Sequence, residues 1–280
     1  PTDSCPHQHL LPHSLPTTTM VNTTSPVAWA AKSYPEIEEI AECEGSILIV
    51  PVGALEQHGY HLPTGTDTIL VEAVATAGAE RVSDDLPVLT TPPLWLGHSP
   101  HHLPFGGTVS AEFDTLSDTL SQIADSALGN AFDTLLFLNG HGGNRPLIGA
   151  VTQRVAAEQP DTEVLGLTYF ELGAYFMDEI RESDIGGMAH GGELETSMML
   201  CLHPELVDEE RMEATEWETE YEQAPTDLLD SGPLHVSLDV ESWSESGAMG
   251  DVSRVSAETG ERMFEGFVDE LEALLLAVRE

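Results

Sequence analysis

Residues 47–68 read ILIVPVGALEQHGYHLPTGTDT, an apolar run followed by a loop rich in glycine and proline and then by the start of a helix. The apolar run, Ile47–Val50, predicts a buried strand. Potential metal ligands follow the strand within 12 positions of one another: Glu56, His58, His61 and Asp67.

The spacing of these side chains favours a divalent-metal site. Glu56 and His58 are two positions apart, so an extended backbone would project both side chains to the same face. Asp67 is predicted at the N-cap of the following helix, which would fix its carboxylate in one place. The alternative for each residue taken singly is a solvated surface side chain.

The charge of the chain is strongly unbalanced. Nine basic and 49 acidic residues give a net charge of -40, while the hydrophobic content of 41% argues against disorder. We interpret the acids as the solvated surface of a protein adapted to high salt, where their repulsion is screened. Such a surface would repel nucleic acid and anionic membranes. In addition, no apolar run approaches the roughly 20 residues that span a bilayer.

The length of 280 residues suits one large domain, predicted over residues 20–280. Residues 1–19 carry four prolines without periodicity and are predicted to be a disordered extension that lacks the features of a signal peptide, with Met20 as a candidate start. Three widely spaced cysteines form neither a disulfide framework nor a CxxC motif, which favours a cytoplasmic location. A metal would then be held by nitrogen and oxygen ligands, which suits zinc, manganese or iron.

Strand and helix patterns alternate along the chain. The predicted strands are 47–50, 88–96, 134–138 and 164–169, and the predicted helices are 34–42, 68–82, 110–132, 146–158 and 257–279, with one more beginning near Gly192. This alternation predicts an α/β fold in which helices cover both faces of a mostly parallel sheet. In such folds the functional site lies at the carboxyl ends of the strands.

Two further polar motifs are candidates for this site. NGHGGN, residues 139–144, follows a predicted strand directly, and its glycines would let the backbone approach a ligand held by His141. A phosphate-binding loop is the weaker interpretation, because the lysine of a P-loop is absent.

The second motif, HGGELETS at residues 190–197, places His190, Glu193 and Glu195 near a predicted helix start. The two glutamates would differ by about 160° around that helix, so only one can face the site. The alternative for either glutamate is stabilisation of the helix N-terminus.

The motifs EQHGYHLPTGTD (56–67), NGHGGN and HGGELETS occur in this order and together resemble the creatininase family of metal-dependent amidohydrolases. The match covers Tyr34 to Leu202, and the loop HHLPFGGT (101–108) resembles the family's substrate-side segment. The resemblance implies a three-layer α/β/α sandwich with a mostly parallel sheet and a site for two divalent metal ions.

The resemblance also implies roles for individual residues. Glu56 and His141 would bind the first metal and His58 the second, while Asp67 would bridge them. His190 corresponds to the family's catalytic histidine.

This chain departs from creatininase itself at two positions. Creatininase has an aromatic residue directly after the histidine of the NGH motif and an acidic ligand two residues after it, where this chain has Gly142 and Gly143. Glu193, beside His190, is the predicted replacement for the missing ligand and a candidate catalytic residue.

The implied activity is hydrolysis of a non-peptide or cyclic amide C–N bond, as in creatinine amidohydrolase, with His190 as proton carrier. Relatives that deformylate flavin and deazaflavin precursors, or trim a peptide-derived redox cofactor, provide alternatives. A non-catalytic metal-binding or assembly protein is the alternative from a different class, because Gly143 removes a ligand. The expected partner is a small-molecule amide substrate, and the resemblance implies a homo-oligomer, specifically a hexamer.

Overall fold

The structure is a computed structural model that describes residues 24–216, 221–224, 226–229, 232–236 and 239–278. The predicted extension at residues 1–19, with Met20, lies outside the described residues. The strands and helices are β1 (Ile47–Val52), β2 (Val88–Thr90), β3 (Thr134–Asn139) and β4 (Glu163–Thr168), with α1 (Tyr34–Ala41), α2 (Thr66–Val82), α3 (Phe113–Leu128), α4 (Arg145–Glu158), α5 (Glu193–Leu202), α6 (Val240–Trp243) and α7 (Ala257–Val278).

The strands form a parallel sheet in the order β2-β1-β3-β4 among the described residues. The central strands β1 and β3 are buried along their whole length, as expected of strands covered on both faces. They pair in register from Ile47 opposite Thr134 to Val52 opposite Asn139. Their carboxyl ends therefore coincide, which brings the loops after Val52 and Asn139 side by side.

Helices cover both faces of the sheet, and each face has its own apolar core. Ile47 and Ile49 of β1 pack with residues of α2, α5 and α7, whereas Leu48 and Val50 pack with residues of α1, α3 and α4. This alternation follows from the two-residue period of a strand. The predicted mostly parallel sheet with helices on both faces is confirmed.

Some element boundaries differ from the sequence predictions, for local reasons. Strand β2 was predicted over residues 88–96 with a break at Pro92 and Pro93, and it ends before that break, at Thr90, since proline has no N–H to donate to a ladder. Helix α3 was predicted from Ser110 to Phe132 but spans Phe113–Leu128. It ends at Leu128, and three residues later Ala131 takes a left-handed backbone conformation, with φ of 68°, which a helix cannot include.

The described residues between α5 and α7 have little regular structure, yet part of them supports the site. Met249 forms paired backbone hydrogen bonds with His190, at 2.8 and 2.6 Å, and so fixes the backbone at that histidine. In the part of the chain that the structure describes, none of the helices is both long and apolar enough to cross a bilayer.

Candidate metal centre

The carboxyl ends of β1 and β3 bring acidic and imidazole side chains together. Glu56 and His58 lie on the loop after β1, Asp67 in the first turn of α2, and His141 directly after β3. All of these side chains are buried. The N-cap of α2 is Gly65, not Asp67 as predicted. Asp67 is therefore free of any capping role, and its carboxylate points at the two histidines.

One group of potential ligands consists of Glu56, Asp67 and His141, whose ligand atoms lie within 4.8 Å of one another. Nδ1 of His141 is 3.2 Å from Oε1 of Glu56 and 3.1 Å from Oδ2 of Asp67. On its other side, Nε2 lies 3.2 Å from the backbone carbonyl oxygen of His98, to which it can donate. A hydrogen on Nε2 that is donated to this carbonyl leaves Nδ1 unprotonated, with its lone pair directed at the carboxylates. Histidines that bind metals are held in the same way.

A second group consists of His58, Asp67 and Glu195. Nε2 of His58 is 3.1 Å from Oδ1 of Asp67 and 3.8 Å from Oε1 of Glu195. Behind the ring, Nδ1 lies 3.1 Å from the carbonyl oxygen of Glu56, to which it donates. Asp67 thus belongs to both groups and presents a different carboxylate oxygen to each.

The structure corrects the choice of Glu193 as the replacement ligand. Its carboxylate accepts hydrogen bonds from the backbone N–H groups of Glu182 and Ser183, both at 2.8 Å, and so points away from the cluster. Only one of the two glutamates faces the site, as expected of positions two apart on a helix, but it is Glu195. Oε2 of Glu195 accepts from the backbone N–H of Gly191 at 2.6 Å, which leaves Oε1 towards His58.

The two remaining predicted histidines lie in different places. His61 is buried outside the cluster, where its Nε2 lies 3.0 Å from Oγ1 of Thr196. His190 lies beside the cluster, with Nδ1 3.6 Å from Oε1 of Glu56. Its ring is stacked between those of His58 and His102, with centroid distances of 4.3 and 4.2 Å.

The potential ligand atoms of the two groups suit divalent metal ions. Oε2 of Glu56 is buried and has no hydrogen-bond donor among the described residues. Oδ2 of Asp67 faces only Nδ1 of His141 there. Buried carboxylate oxygens without donors are rare in folded proteins, and a bound cation would account for them. Carboxylate and imidazole ligands suit zinc and manganese.

The electrostatics of the cluster favour positive charge. Burial by itself lowers the pKa of His141, but Glu56 and Asp67 outweigh burial and raise that pKa to about 10. Burial is likewise outweighed at His58, where Asp67 and Glu195 raise the pKa well above its usual value. In the opposite direction, burial raises the pKa of Asp67, yet the two histidines hold it well below its usual range. A metal ion would supply the positive charge that protons otherwise provide.

The NGHGGN motif is explained by the loop it builds. Oδ1 of Asn139 accepts from the backbone N–H of His141 at 3.1 Å, and Nδ2 of Asn144 donates to the carbonyl oxygen of Gly53 at 3.1 Å. A Cβ at Gly143 would lie 2.4 Å from Nε2 of His141 and 2.6 Å from the carbonyl oxygen of His98. No side chain fits at position 143, so the ligand expected there in creatininase has no place in this loop.

Comparison with known proteins agrees with this geometry. The family model described as "Creatininase: Creatinine amidohydrolase" matches residues 30–275. The chain belongs to the creatininase family. The predicted resemblance is therefore confirmed, and the chain is a hydrolase of this family.

Several characterised relatives have different substrates in their names. The mycofactocin precursor peptide peptidase of Mycobacterium tuberculosis (strain ATCC 25618 / H37Rv) is 34% identical over 229 residues, which are 80% of this chain and 82% of the relative. The creatinine amidohydrolase of Pseudomonas putida is 32% identical over 196 residues, 64% of this chain and 73% of the relative. The 3-dehydro-scyllo-inosose hydrolase of Thermotoga maritima (strain ATCC 43589 / DSM 3109 / JCM 10099 / NBRC 100826 / MSB8) is 27% identical over 267 residues, 87% of this chain and 80% of the relative.

Solved creatininase structures share the fold. One named "Creatininase Mn" aligns with a TM-score of 0.76 and 26% identity, covering 90% of this chain and 98% of the other. A mutant creatininase of "Zn-Zn type" aligns with a TM-score of 0.75 and 26% identity, covering 90% and 97% of the two chains. The predicted creatininase-like three-layer fold is confirmed.

In this creatininase-family protein, several residues of the candidate metal centre line a pocket of about 580 Å³. The pocket's walls include apolar side chains from several loops: Pro100, Pro146, Leu228, Leu234 and Met249. Neither Gln57 nor Leu228 was predicted from the sequence. The only feature of the sequence that pointed to Gln57 was its position between Glu56 and His58 in the EQH motif. Leu228 lies in a segment without periodicity.

Proposed function

We propose that this hydrolase cleaves an amide C–N bond at a centre that holds two divalent metal ions. The proposed ligands are Glu56, His58, Asp67, His141 and Glu195. The observation that carries the proposal is the position of Asp67, which presents Oδ1 to His58 and Oδ2 to His141, each at 3.1 Å. Zinc or manganese bound there would lower the pKa of a water molecule and polarise the amide carbonyl.

His190 is the proposed proton carrier. Nε2 of His190 lies 2.6 Å from the carbonyl oxygen of Gln57, to which it donates, so the Nδ1 lone pair faces the site. Burial, and then the charge of His58, lower the pKa of His190 to about 4. His190 is therefore neutral near pH 7 and can accept a proton from the attacking water and pass it to the leaving nitrogen.

The pocket favours a substrate larger than creatinine. A volume of about 580 Å³ falls within the range of roughly 300–1,000 Å³ found for sites that hold drug-sized ligands. Gly142 leaves this space open, since a Cβ there would first meet Cδ2 of Leu228, at 3.6 Å. An amide with an apolar substituent, such as a short peptide, fits these walls. Relatives named as peptidases support the same class, since they match 80% of this chain at 32–34% identity, whereas the creatinine amidohydrolase matches 64% of it at 32%.

The test is a substrate screen of the zinc- or manganese-loaded protein, with products identified by mass spectrometry. The panel contains short peptides with apolar C-terminal residues, creatinine, and formamidopyrimidines. We expect turnover of peptides and little or none of creatinine, and we expect Gly142→Phe to reduce peptide turnover by narrowing the pocket. Full metal loading without hydrolysis of any amide would favour the alternative of a non-catalytic metal-binding protein.

A further inference from the structure

Gln57 lies between two proposed ligands in sequence, yet its side chain points to the outer side of the cluster. It is buried, and two backbone groups fix the orientation of its amide. Oε1 accepts from the N–H of Gly59 at 2.9 Å, and Nε2 donates to the carbonyl oxygen of Gly247 at 3.0 Å. A flipped amide would place oxygen against oxygen and N–H against N–H, so only one orientation satisfies both partners.

The second hydrogen on Nε2 of Gln57 has two candidate acceptors, Nδ1 of His102 at 2.8 Å and Nε2 of His190 at 3.2 Å. The backbone carbonyl of Gln57 decides between them. This carbonyl oxygen lies 2.6 Å from Nε2 of His190 and can only accept a hydrogen bond. Nε2 of His190 must therefore carry a hydrogen. A protonated ring nitrogen cannot accept a hydrogen bond. The amide hydrogen therefore goes to His102, whose Nδ1 must be unprotonated.

His102 and His190 consequently present different ring nitrogens to Glu56: one carries a hydrogen and the other does not. Neutral His102 carries its hydrogen on Nε2, which lies 3.4 Å from Oε1 of Glu56. Neutral His190 is bare at Nδ1, which lies 3.6 Å from the same oxygen. One ring presents a donor and the other an acceptor.

We propose that Gln57 is a positioning residue that fixes these tautomers, its side chain for His102 and its backbone carbonyl for His190. This inference rests on the proposed function, because His190 acts as proton acceptor only when Nδ1 is bare. It also excludes one neighbouring imidazole nitrogen as a metal ligand. Glu56, His101 and His102 lie close enough together to hold an ion, but the N–H of His102 that faces Glu56 rules out ligation through that nitrogen.

The tautomers can be read directly by nitrogen NMR of zinc-loaded protein labelled with ¹⁵N in the histidine rings. His102→Gln and His190→Gln assign the two signals. We expect Nδ1 to be unprotonated in both rings of the unsubstituted protein. In Gln57→Glu the carboxylate cannot donate, so the hydrogen of His102 should move to Nδ1, whereas His190 should keep its hydrogen on Nε2. Gln122→Glu, on the exposed side of α3, is the matched control and should change neither ring.

A hydrogen on Nδ1 of either ring in the unsubstituted protein would overturn the proposal, and so would an unchanged His102 in folded Gln57→Glu. If Gln57→Glu does not fold, the spectrum of the unsubstituted protein still decides. The measurement needs no substrate. Failure of every amide in the substrate screen would therefore count against the proposed function alone, and wrong tautomers would count against the role of Gln57.

Discussion

At the scale of single residues, the group behind each imidazole ring decides what the ring can do. His58 and His141 each have a backbone carbonyl behind them and turn an unprotonated nitrogen towards carboxylates. His102 has an amide donor behind it and turns an N–H towards Glu56. This difference excludes His102 as a ligand through Nε2. It does not exclude His190, which also has a carbonyl behind its ring and lies with Glu56 and His58 in a group that could hold an ion, so the metal content of His190→Ala decides its role.

The two glutamates of α5 give the first prediction. Glu195→Gln should lose one of two bound metal ions and keep the fold, because Oε1 of Glu195 faces His58. Glu193→Gln should keep both ions. It should lower the free energy of unfolding by about 1–3 kcal/mol, since its buried carboxylate accepts two backbone hydrogen bonds. Elemental analysis and thermal melts of the pair check this, and loss of metal from Glu193→Gln alone would contradict the assignment.

His190 gives the second prediction. His190→Ala should retain both metals and the fold but lose turnover by about 10²- to 10⁴-fold, the usual contribution of a positioned proton carrier. Steady-state kinetics on whichever amide the screen identifies, together with metal content, provide the measurement. Loss of metal would make His190 a ligand, and turnover near that of the unsubstituted protein would remove it from the mechanism.

Most residues of the candidate site could be predicted from the sequence, but the side of helix α5 that faces the site could not. Glu56, His58, Asp67 and His141 could be predicted because each stands in a short motif next to a strand end or helix start. The start of α5 near Gly192 was predicted correctly, but the side of the helix that faces the cluster was not. That side depends on contacts distant from the motif, among them the hydrogen bonds that hold Glu193 to the backbone of Glu182 and Ser183.

At the scale of elements, the parallel pairing of β1 and β3 creates the site. Their registered carboxyl ends bring two loops together that are about 80 residues apart in sequence. The apolar runs predicted both strands, because buried parallel strands have little polar interruption. The support of His190 by Met249 depends on a contact distant in sequence, and no local pattern predicts it.

Two glycines near β3 give the third prediction. Gly143→Ala should destabilise the protein by about 1–3 kcal/mol and weaken metal binding, because its Cβ would overlap His141 and the carbonyl of His98. Gly149→Ala, inside α4 with open space around it, should be neutral or stabilising by up to about 1 kcal/mol. Thermal melts and zinc titrations of both variants check the contrast. Equal behaviour of the two would show that the loop after β3 can relax.

At the scale of the whole molecule, the net charge of -40 is the dominant property. Few cations are available to pair with the acids, and Arg81 alone contacts three of them, on α7: Glu265, Asp269 and Glu272. Exposed pairs of this kind contribute little to stability. Adaptation to high salt, a single domain over residues 20–280 and a hexamer remain predictions at this scale.

The fourth prediction concerns salt. Repulsion among the acids should destabilise the folded state when ions are scarce, and molar salt screens it within about 3 Å. The melting temperature should therefore rise from low to molar potassium chloride. Sodium chloride is the matched control and should give the same rise, since screening depends on ionic strength. A flat melting temperature would show that acidic repulsion does not control stability.

In the proposed centre Asp67 binds both metal ions, and the metal content of its variants measures that role. Elemental analysis of protein purified in parallel should find two ions per chain in the unsubstituted protein. Asp67→Asn should lose both ions, because Asp67 belongs to both ligand groups. His58→Ala should lose mainly one, because His58 faces only the second ion. Equal and unchanged metal content in the two variants would contradict the two-metal centre.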